Sequence, residues 1–357
     1  MLPVSVCIIA KNEASCIDEC LKRLARYDWE IIVVDTGSTD CTMEIARKYT
    51  PYVYSFTWID DFSAARNYSI SKATNDYILV LDCDEYLEEE EHTAQTILTL
   101  PTYITPNQVG VFVRHSPTAV CTDTASSPQM TTEHIVRFFH KEKMHFEGRI
   151  HEQVVGKSGE PKSFVSIPLS FYHVGYETAL LQEQKASRNI TLLEYELEKH
   201  PNNPYLYYQL GRSYFSIGNY AKALPCFETT LSMELDEQAE YVQNLVESYG
   251  YCLLYLKQYQ KALELEGIYS IFCKNADFVF LMGLIYMNNA LFTQAIEEFQ
   301  KATTISSYCV EGVNSYSANY NIGVIYECMG NHKEAVAYYS KCGTYAPALQ
   351  RLQLLDS

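Results

Sequence analysis

The chain has 357 residues, 47% of them hydrophobic, which is apolar content enough for two cored domains. Its formal net charge of -17 argues against nucleic acid or an anionic membrane surface as the main partner. No apolar stretch approaches membrane-spanning length, and no secretory segment is expected before the first strand. The 12 cysteines are scattered through apolar periodic stretches; Cys16 and Cys20 lie one helical turn apart with no matching second pair. That pattern predicts thiols in a reducing cytoplasm rather than a zinc site or a disulfide framework.

Residues 3–10 (PVSVCIIA) read as a buried strand that opens at Lys11, Asn12 and Glu13 into a polar loop and a helix. Residues 30–34 (EIIVV) form a second apolar strand, ending in Asp35 and a Gly/Ser/Thr turn that caps a helix beginning near Cys41. Strand, helix, strand at this spacing predicts a parallel sheet with right-handed crossovers. Ligands of such sheets bind beyond the carboxyl ends of the strands, where Glu13, Asp35, Asp82 and Asp84 fall. Asp61 begins a further helix whose Arg66 can meet a phosphate or a base edge.

Residues 77–81 (YILVL) run straight into Asp82, Cys83, Asp84 and Glu85. On an extended strand Asp82 and Asp84 project to the same side, so both can reach one hard cation and the diphosphate it carries. Cys83, between them, then turns away into packing. The bland alternative is a strand ending in a solvated acidic turn. The acidic run at 88–91 reads as the start of a solvated helix, and residues 118–132, rich in Thr, Ser and Asp, as a mobile loop between strands. Further on, Gly148 precedes a His151-Glu152 pair, and His173 closes a short apolar strand.

Residues 3 to 175 resemble the nucleotide-binding half of a family 2 glycosyltransferase with a GT-A fold. The resemblance implies that Ala10, Asn12, Glu13, Asp35, Arg66, Asp82 and Cys83 line the nucleotide, with Asp35 on the uridine and Arg66 supporting it. It implies a divalent metal, Mn2+ or Mg2+, on Asp82 and Asp84, completed by His173 unless that histidine only caps its strand by one backbone bond. Inversion by single displacement needs a base for the acceptor proton. Glu152 fits that role, with His151 as the alternative base or a phosphate contact; the plain reading of Glu152 is a surface carboxylate.

The composition shifts near residue 180. A single helix is predicted over 183–200, and after Pro204 a pattern recurs: Leu210-Gly211 with Tyr214 and Phe227, Tyr249-Gly250 with Leu253 and Ala262, Met282-Gly283 with Tyr286 and Phe299, Ile322-Gly323 with Tyr326 and Tyr339. It resembles about four tetratricopeptide repeats, whose aromatics fill the grooves between hairpins. The expected architecture is therefore an α/β GT-A domain with a Rossmann-like mixed sheet over 1–180, a connecting helix over 181–203, and an all-α repeat solenoid over 204–357.

The arrangement resembles the bacterial peptide S-glycosyltransferases that modify glycosylated bacteriocins. This resemblance implies a cytoplasmic enzyme that moves a sugar from a uridine diphosphate donor to an acceptor held by the repeats. A peptide Cys or Ser, a protein or a saccharide of the cell envelope would each serve as acceptor, and a homodimer stays open. The rival is a repeat adaptor whose first domain only binds nucleotide or has decayed. Metal-dependent release of the nucleoside diphosphate separates the two.

Overall fold

A computed structural model describes residues 2–117, 129–158, 163–174, 179–237 and 239–355. The loop expected over 118–132 falls, for residues 118–128, outside the described residues, as do Gly175 and Tyr176. The chain divides into two compact units, Met1–Pro117 with Thr132–Glu177 and Thr118–Thr131 with Thr178–Ser357.

The first unit is built on a mixed sheet. Its elements are β1 (Val4–Ala10), α1 (Ile17–Leu24), β2 (Glu30–Asp35), α2 (Thr42–Ala46), β3 (Val53–Ser55), α3 (Phe62–Ser71), β4 (Tyr77–Asp82), β5 (Glu85–Leu87), α4 (Thr93–Thr99), β6 (Gln108–Pro117), β7 (Met130–His140), β8 (Met144–Glu147), β9 (Gln153–Gly156) and β10 (Ser163–His173). The strand order is β3-β2-β1-β4-β7-β6-β10-β5, with β8 and β9 forming a separate pair. β1 runs parallel to both β2 and β4, in a register that brings Ala10 beside Asp35 and Ile9 beside Asp82. The acidic ends of these strands therefore share one edge, as the spacing predicted.

Burial explains why β1, β2 and β4 are continuously apolar. Val6 and Ile8 of β1 join one core with Ile17, Leu21 and Leu24 of α1, whereas Cys7 joins the opposite core with Ile32, Ile78, Phe139 and Phe146. A strand covered on both faces cannot alternate with polar residues. Cys16, just before α1, and Cys20, on its buried stripe, are both buried, and no described cysteine is in a disulfide.

Two expectations need correction. β4 stops at Asp82, and Cys83 and Asp84 form a turn into β5 rather than a continuing strand. The turn closes because Glu85 Oε2 accepts the Asp82 N–H at 3.1 Å and the Asp84 carbonyl accepts the Val174 N–H at 3.0 Å. The acidic run at 88–91 also starts no helix: Glu88 N–H donates to the Ser170 carbonyl, Ser170 Oγ donates to Glu90, and α4 begins only at Thr93.

The second unit is helical: α5 (Ala179–Lys199), α6 (Pro204–Ser216), α7 (Tyr220–Leu231), α8 (Glu240–Tyr255), α9 (Tyr259–Ala262), α10 (Tyr269–Phe272), α11 (Ala276–Asn288), α12 (Phe292–Ala302), α13 (Tyr316–Cys328), α14 (His332–Tyr339) and α15 (Ala346–Leu355). Asn203 caps α6, accepting from the Tyr205 and Leu206 amides, with Pro204 at the first helical position. The recurrent glycines are where the paired helices touch. A Cβ at Gly211, Gly283 or Gly323 would run into the ring of Phe227, Phe299 or Tyr339 respectively. Gly250 meets Leu281 and Leu265 instead, because α9 ends after one turn and the chain continues as a 3-10 helix over Leu263–Ile268. No helix among the described residues is long and apolar enough to cross a membrane.

Candidate active site

Three strand ends and one hairpin tip supply the site. At the first, Asn12 takes a left-handed backbone (φ 56), and its side-chain oxygen accepts the Thr39 N–H at 2.8 Å while its own N–H donates to Ser38 Oγ at 2.9 Å. Glu13 N–H donates to Thr42 Oγ1 and Ala14 N–H to Asp40, so the loops after β1 and β2 are stitched together. Asp35, 4% exposed, is spent locally: it accepts the Gly37 and Ser38 amides at 3.1 and 3.2 Å. Ala10 is buried beside it.

Around Asp82 the structure assembles a chain of alternating charges. Arg66 donates from Nε to Glu152 Oε1 and from Nη2 to Asp82 Oδ1 at 2.8 Å. Arg137 Nη2 reaches Asp82 Oδ2 at 2.8 Å and Glu85 Oε1 at 2.7 Å. Arg114 then joins Glu85 at 3.0 Å to Glu133 at 2.5 Å. Burial by itself would raise the Asp82 pKa, but the charges of Arg66 and Arg137 outweigh it and hold the carboxyl well below the usual range. Arg66 Nη1 and Arg137 Nε are buried and have no hydrogen-bond acceptor among the described residues. Two guanidinium donors beside Asp82 are thus shut from solvent and without an acceptor in this conformation, while the guanidinium charge itself stays at the strand edge.

The expected metal trio is not drawn together. Both Asp82 oxygens are taken by arginines, and no group of three possible ligands forms among the described residues. Asp84 and His173 do meet, His173 Nε2 lying 3.3 Å from Asp84 Oδ2, an oxygen and a nitrogen donor that suit a divalent ion. Cys83 is 4% exposed, with Sγ 3.5 Å from the Ile9 carbonyl, so its side chain packs beneath the turn and only its backbone is left for the nucleotide edge expected of it. His151 has a left-handed backbone (φ 49), and Glu152 is held against Arg66 rather than lying on the surface.

Glu85, Arg114 and Arg137 were not singled out by sequence. Arg137 interrupts the apolar stretch Ile135, Val136, Phe138 and Phe139 of β7, and a charge there requires a buried partner; that was the available signal.

Residues 5–102 match the model of Glycosyl transferase family 2, and residues 192–224, 276–309 and 316–348 match tetratricopeptide repeat models. The chain carries a family 2 glycosyltransferase domain at its amino terminus, followed by tetratricopeptide repeats. It is 33% identical over 59% of its length to a TPR repeat-containing protein of Synechococcus elongatus, covering 52% of that protein. It is 28% identical over 68% of its length to the SPbeta prophage-derived glycosyltransferase SunS of Bacillus subtilis, covering 57% of that protein. The chain thus spans about half the length of the curated relatives it matches. Among solved structures, MamA 41-end from Desulfovibrio magneticus aligns at 21% identity over 50% of this chain and 96% of that chain, with a TM-score of 0.38. The family 2 match takes in β1 through α4, so it covers Asp35, Arg66, Asp82 and Asp84; Glu152 and His173 lie beyond it.

Proposed function

We propose that the chain is an inverting glycosyltransferase that moves a sugar from a nucleotide donor, with uridine diphosphate as the carrier, to an acceptor engaged by the repeats. The observation that carries the reading is the pair of unsatisfied guanidinium donors, Arg66 Nη1 and Arg137 Nε, beside Asp82 at the carboxyl edge of a family 2 sheet. In this reading a small adjustment on donor binding turns these donors toward the diphosphate, while Asp82 orients both arginines. Asp84 and His173 would hold a divalent Mn2+ or Mg2+, which supplies positive charge to the departing diphosphate. Ala10, Asn12, Glu13 and Asp35 shape the nucleotide edge through backbone and loop geometry, since the Asn12 and Asp35 side chains are engaged with backbone amides.

The acceptor O–H or S–H attacks the anomeric carbon and the bond from that carbon to the diphosphate oxygen breaks. The acceptor proton passes to Glu152, and the nucleoside diphosphate leaves. With Oε1 held by Arg66, Oε2 of Glu152 is the oxygen offered to the proton. His151 is the alternative base. SunS is named as a glycosyltransferase, and the resemblance to peptide S-glycosyltransferases given above is what favours an acceptor of peptide class, a Cys or Ser side chain. A reducing cytoplasmic setting fits the buried thiols.

A thermal-shift panel of nucleotide sugars with and without manganese tests the reading, because a true donor stabilises the fold by mass action. Release of free nucleoside diphosphate from the stabilising donor is the expected companion result. Stabilisation by nucleotide with no turnover of any donor would favour the adaptor reading instead.

A further inference from the structure

We infer that Asn67 is the positioning residue that seats the β8–β9 hairpin, and with it Glu152, against Arg66. The activity part of this inference rests on the transferase reading above; the structural part does not. Among the described residues the hairpin belongs to no larger sheet, and two strands alone are marginally stable in water. Its strands pair with Phe146 opposite Val154 and Glu147 opposite Gln153, so residues 148–152 are the tip. Met144, Phe146 and Val154 pack it into a core with Ile78, Val80 and Phe139 of the main sheet, and α3 supplies the side-chain hydrogen bonds that fix its edge. Asn67 Nδ2 donates to the Phe146 carbonyl at 2.8 Å, and Asn67 Oδ1 accepts the Phe146 N–H at 3.0 Å.

One side-chain amide therefore makes the exchange that a residue of a neighbouring antiparallel strand would make. Both polar atoms of the Asn67 side chain thus bond the backbone of a single residue, Phe146. Nearby contacts depend on the same seat. The Phe146 ring, 3% exposed, lies 5.5 Å from the Arg66 guanidinium and edge-on to Phe139 at 5.7 Å. The Phe62 N–H, at the start of α3, donates to the Arg149 carbonyl in the tip at 2.8 Å. Arg66 and Asn67 are adjacent on one helix, so the residue that grips the hairpin edge and the residue that binds its tip move together. Lifting β8 off α3 would shift Glu152 relative to Arg66 and Asp82.

The test uses the full chain with Asn67→Ala and Asn67→Asp. The aspartate keeps an acceptor for the Phe146 N–H but cannot donate to the Phe146 carbonyl when ionised. Backbone amide exchange is measured across the first unit, together with hydrolysis of the donor found in the nucleotide-sugar panel. The expected result is faster exchange at Phe146 and residues 148–153, with β1 and β4 unchanged in both variants. Turnover should fall about 10- to 100-fold, the scale of an ångström misplacement of a catalytic group, at a donor KM within about threefold of wild type. Unchanged exchange at Phe146 in both variants overturns the inference. So does faster hairpin exchange with undiminished turnover, or a loss confined to KM. Should the wild type prove inert toward every donor, that counts against the transferase reading alone, and the exchange pattern still decides whether Asn67 seats the hairpin.

Discussion

The two units treat half-buried carboxylates in opposite ways. In the first, Asp82 is crossed by Arg66 and Arg137 and its pKa is driven well down. In the second, Glu247 of α8 is pushed up to about 8, first by burial and then by the charge of Asp277, against the weaker pull of Gln243 and Arg212. Asp277 of α11 is itself raised by burial, although it accepts the Cys309 and Val310 amides at 2.6 and 2.8 Å. An arginine-laced carboxylate stays charged and keeps its partners aimed. An acid that meets chiefly another acid stays protonated and behaves as a neutral hydrogen-bonding group. The first arrangement suits a site that handles a charged donor, the second a solenoid that needs only to hold its helices in place.

Removing the guanidinium should break this contrast most severely. Arg66→Met leaves Asp82 and Glu152 without their shared cation, and loss of one partner of a buried ion pair costs about 3–5 kcal/mol. Urea denaturation should show that drop in the transition of the first unit, with donor-induced stabilisation gone. A cost below about 1 kcal/mol would mean the network is effectively solvated.

Next comes Asp84→Asn, which removes the anionic partner of His173 while leaving the arginine chain intact. Donor turnover should fall by about 100-fold or more with the melting temperature almost unmoved, since loss of a direct ligand costs at least as much as loss of an outer one. Full turnover, or turnover indifferent to chelator, would refute metal binding at this pair.

The pH profile sharpens the same comparison. Above the usual carboxylate value near 4.5 an unfolded Glu247 has lost its proton while the folded one keeps it, so its contribution to stability is complete below that value and is lost as pH rises toward about 8. Each pH unit in that window should lower the stability of the repeats by no more than about 1.4 kcal/mol. Glu247→Gln should flatten the slope. Asp82 runs the other way: its contribution is present above about pH 4 and drains away as the pH falls further. A repeat transition equally stable at pH 5 and pH 8 would show that Glu247 is ionised throughout.

The smallest effect is expected at the repeat surface. Tyr255, 39% exposed, stacks on Tyr220 with ring centroids 4.4 Å apart. If the repeats engage the acceptor through such rings, Tyr255→Ser should raise the acceptor KM about three- to tenfold and leave donor hydrolysis alone. Donor hydrolysis that fell in step would tie the repeats to the chemistry itself.

Much of this was legible from local pattern. The strands ending at Ala10, Asp35 and Asp82 announced themselves by length and composition, Asp61 by its position as a cap, and the glycine-aromatic recurrence by its period. The partners that escaped notice meet only through tertiary structure. Arg137 comes 55 residues after Asp82, and no local spacing announces that they touch. The turn at Cys83 and Asp84 escaped for a related reason. It is closed by the Glu85 side chain and by the chain near residue 174, whereas local propensity alone continued the strand. Asp35 shows the converse. Its place at the strand end was readable, but its engagement with the Gly37 and Ser38 amides depends on Gly37 taking a positive φ of 109°.

The strand order also fixes when each half of the chain can finish folding during synthesis. β5 pairs with β10 through Leu87 and Phe171, and β6 lies against the same strand, so the sheet cannot close until the ribosome has released residue 173 and the chain beyond it. Until then β5 and the facing edge of β6 are open templates for pairing with another nascent chain. A helical hairpin faces no such wait: Gly211 receives the Phe227 ring within one α6–α7 hairpin, and Gly283 receives Phe299 within the α11–α12 hairpin. Short-range closure of this kind is fast, so each repeat can lock soon after it emerges. The long wait falls on the amino-terminal sheet, and conditions that slow translation near residue 173 should expose it to aggregation.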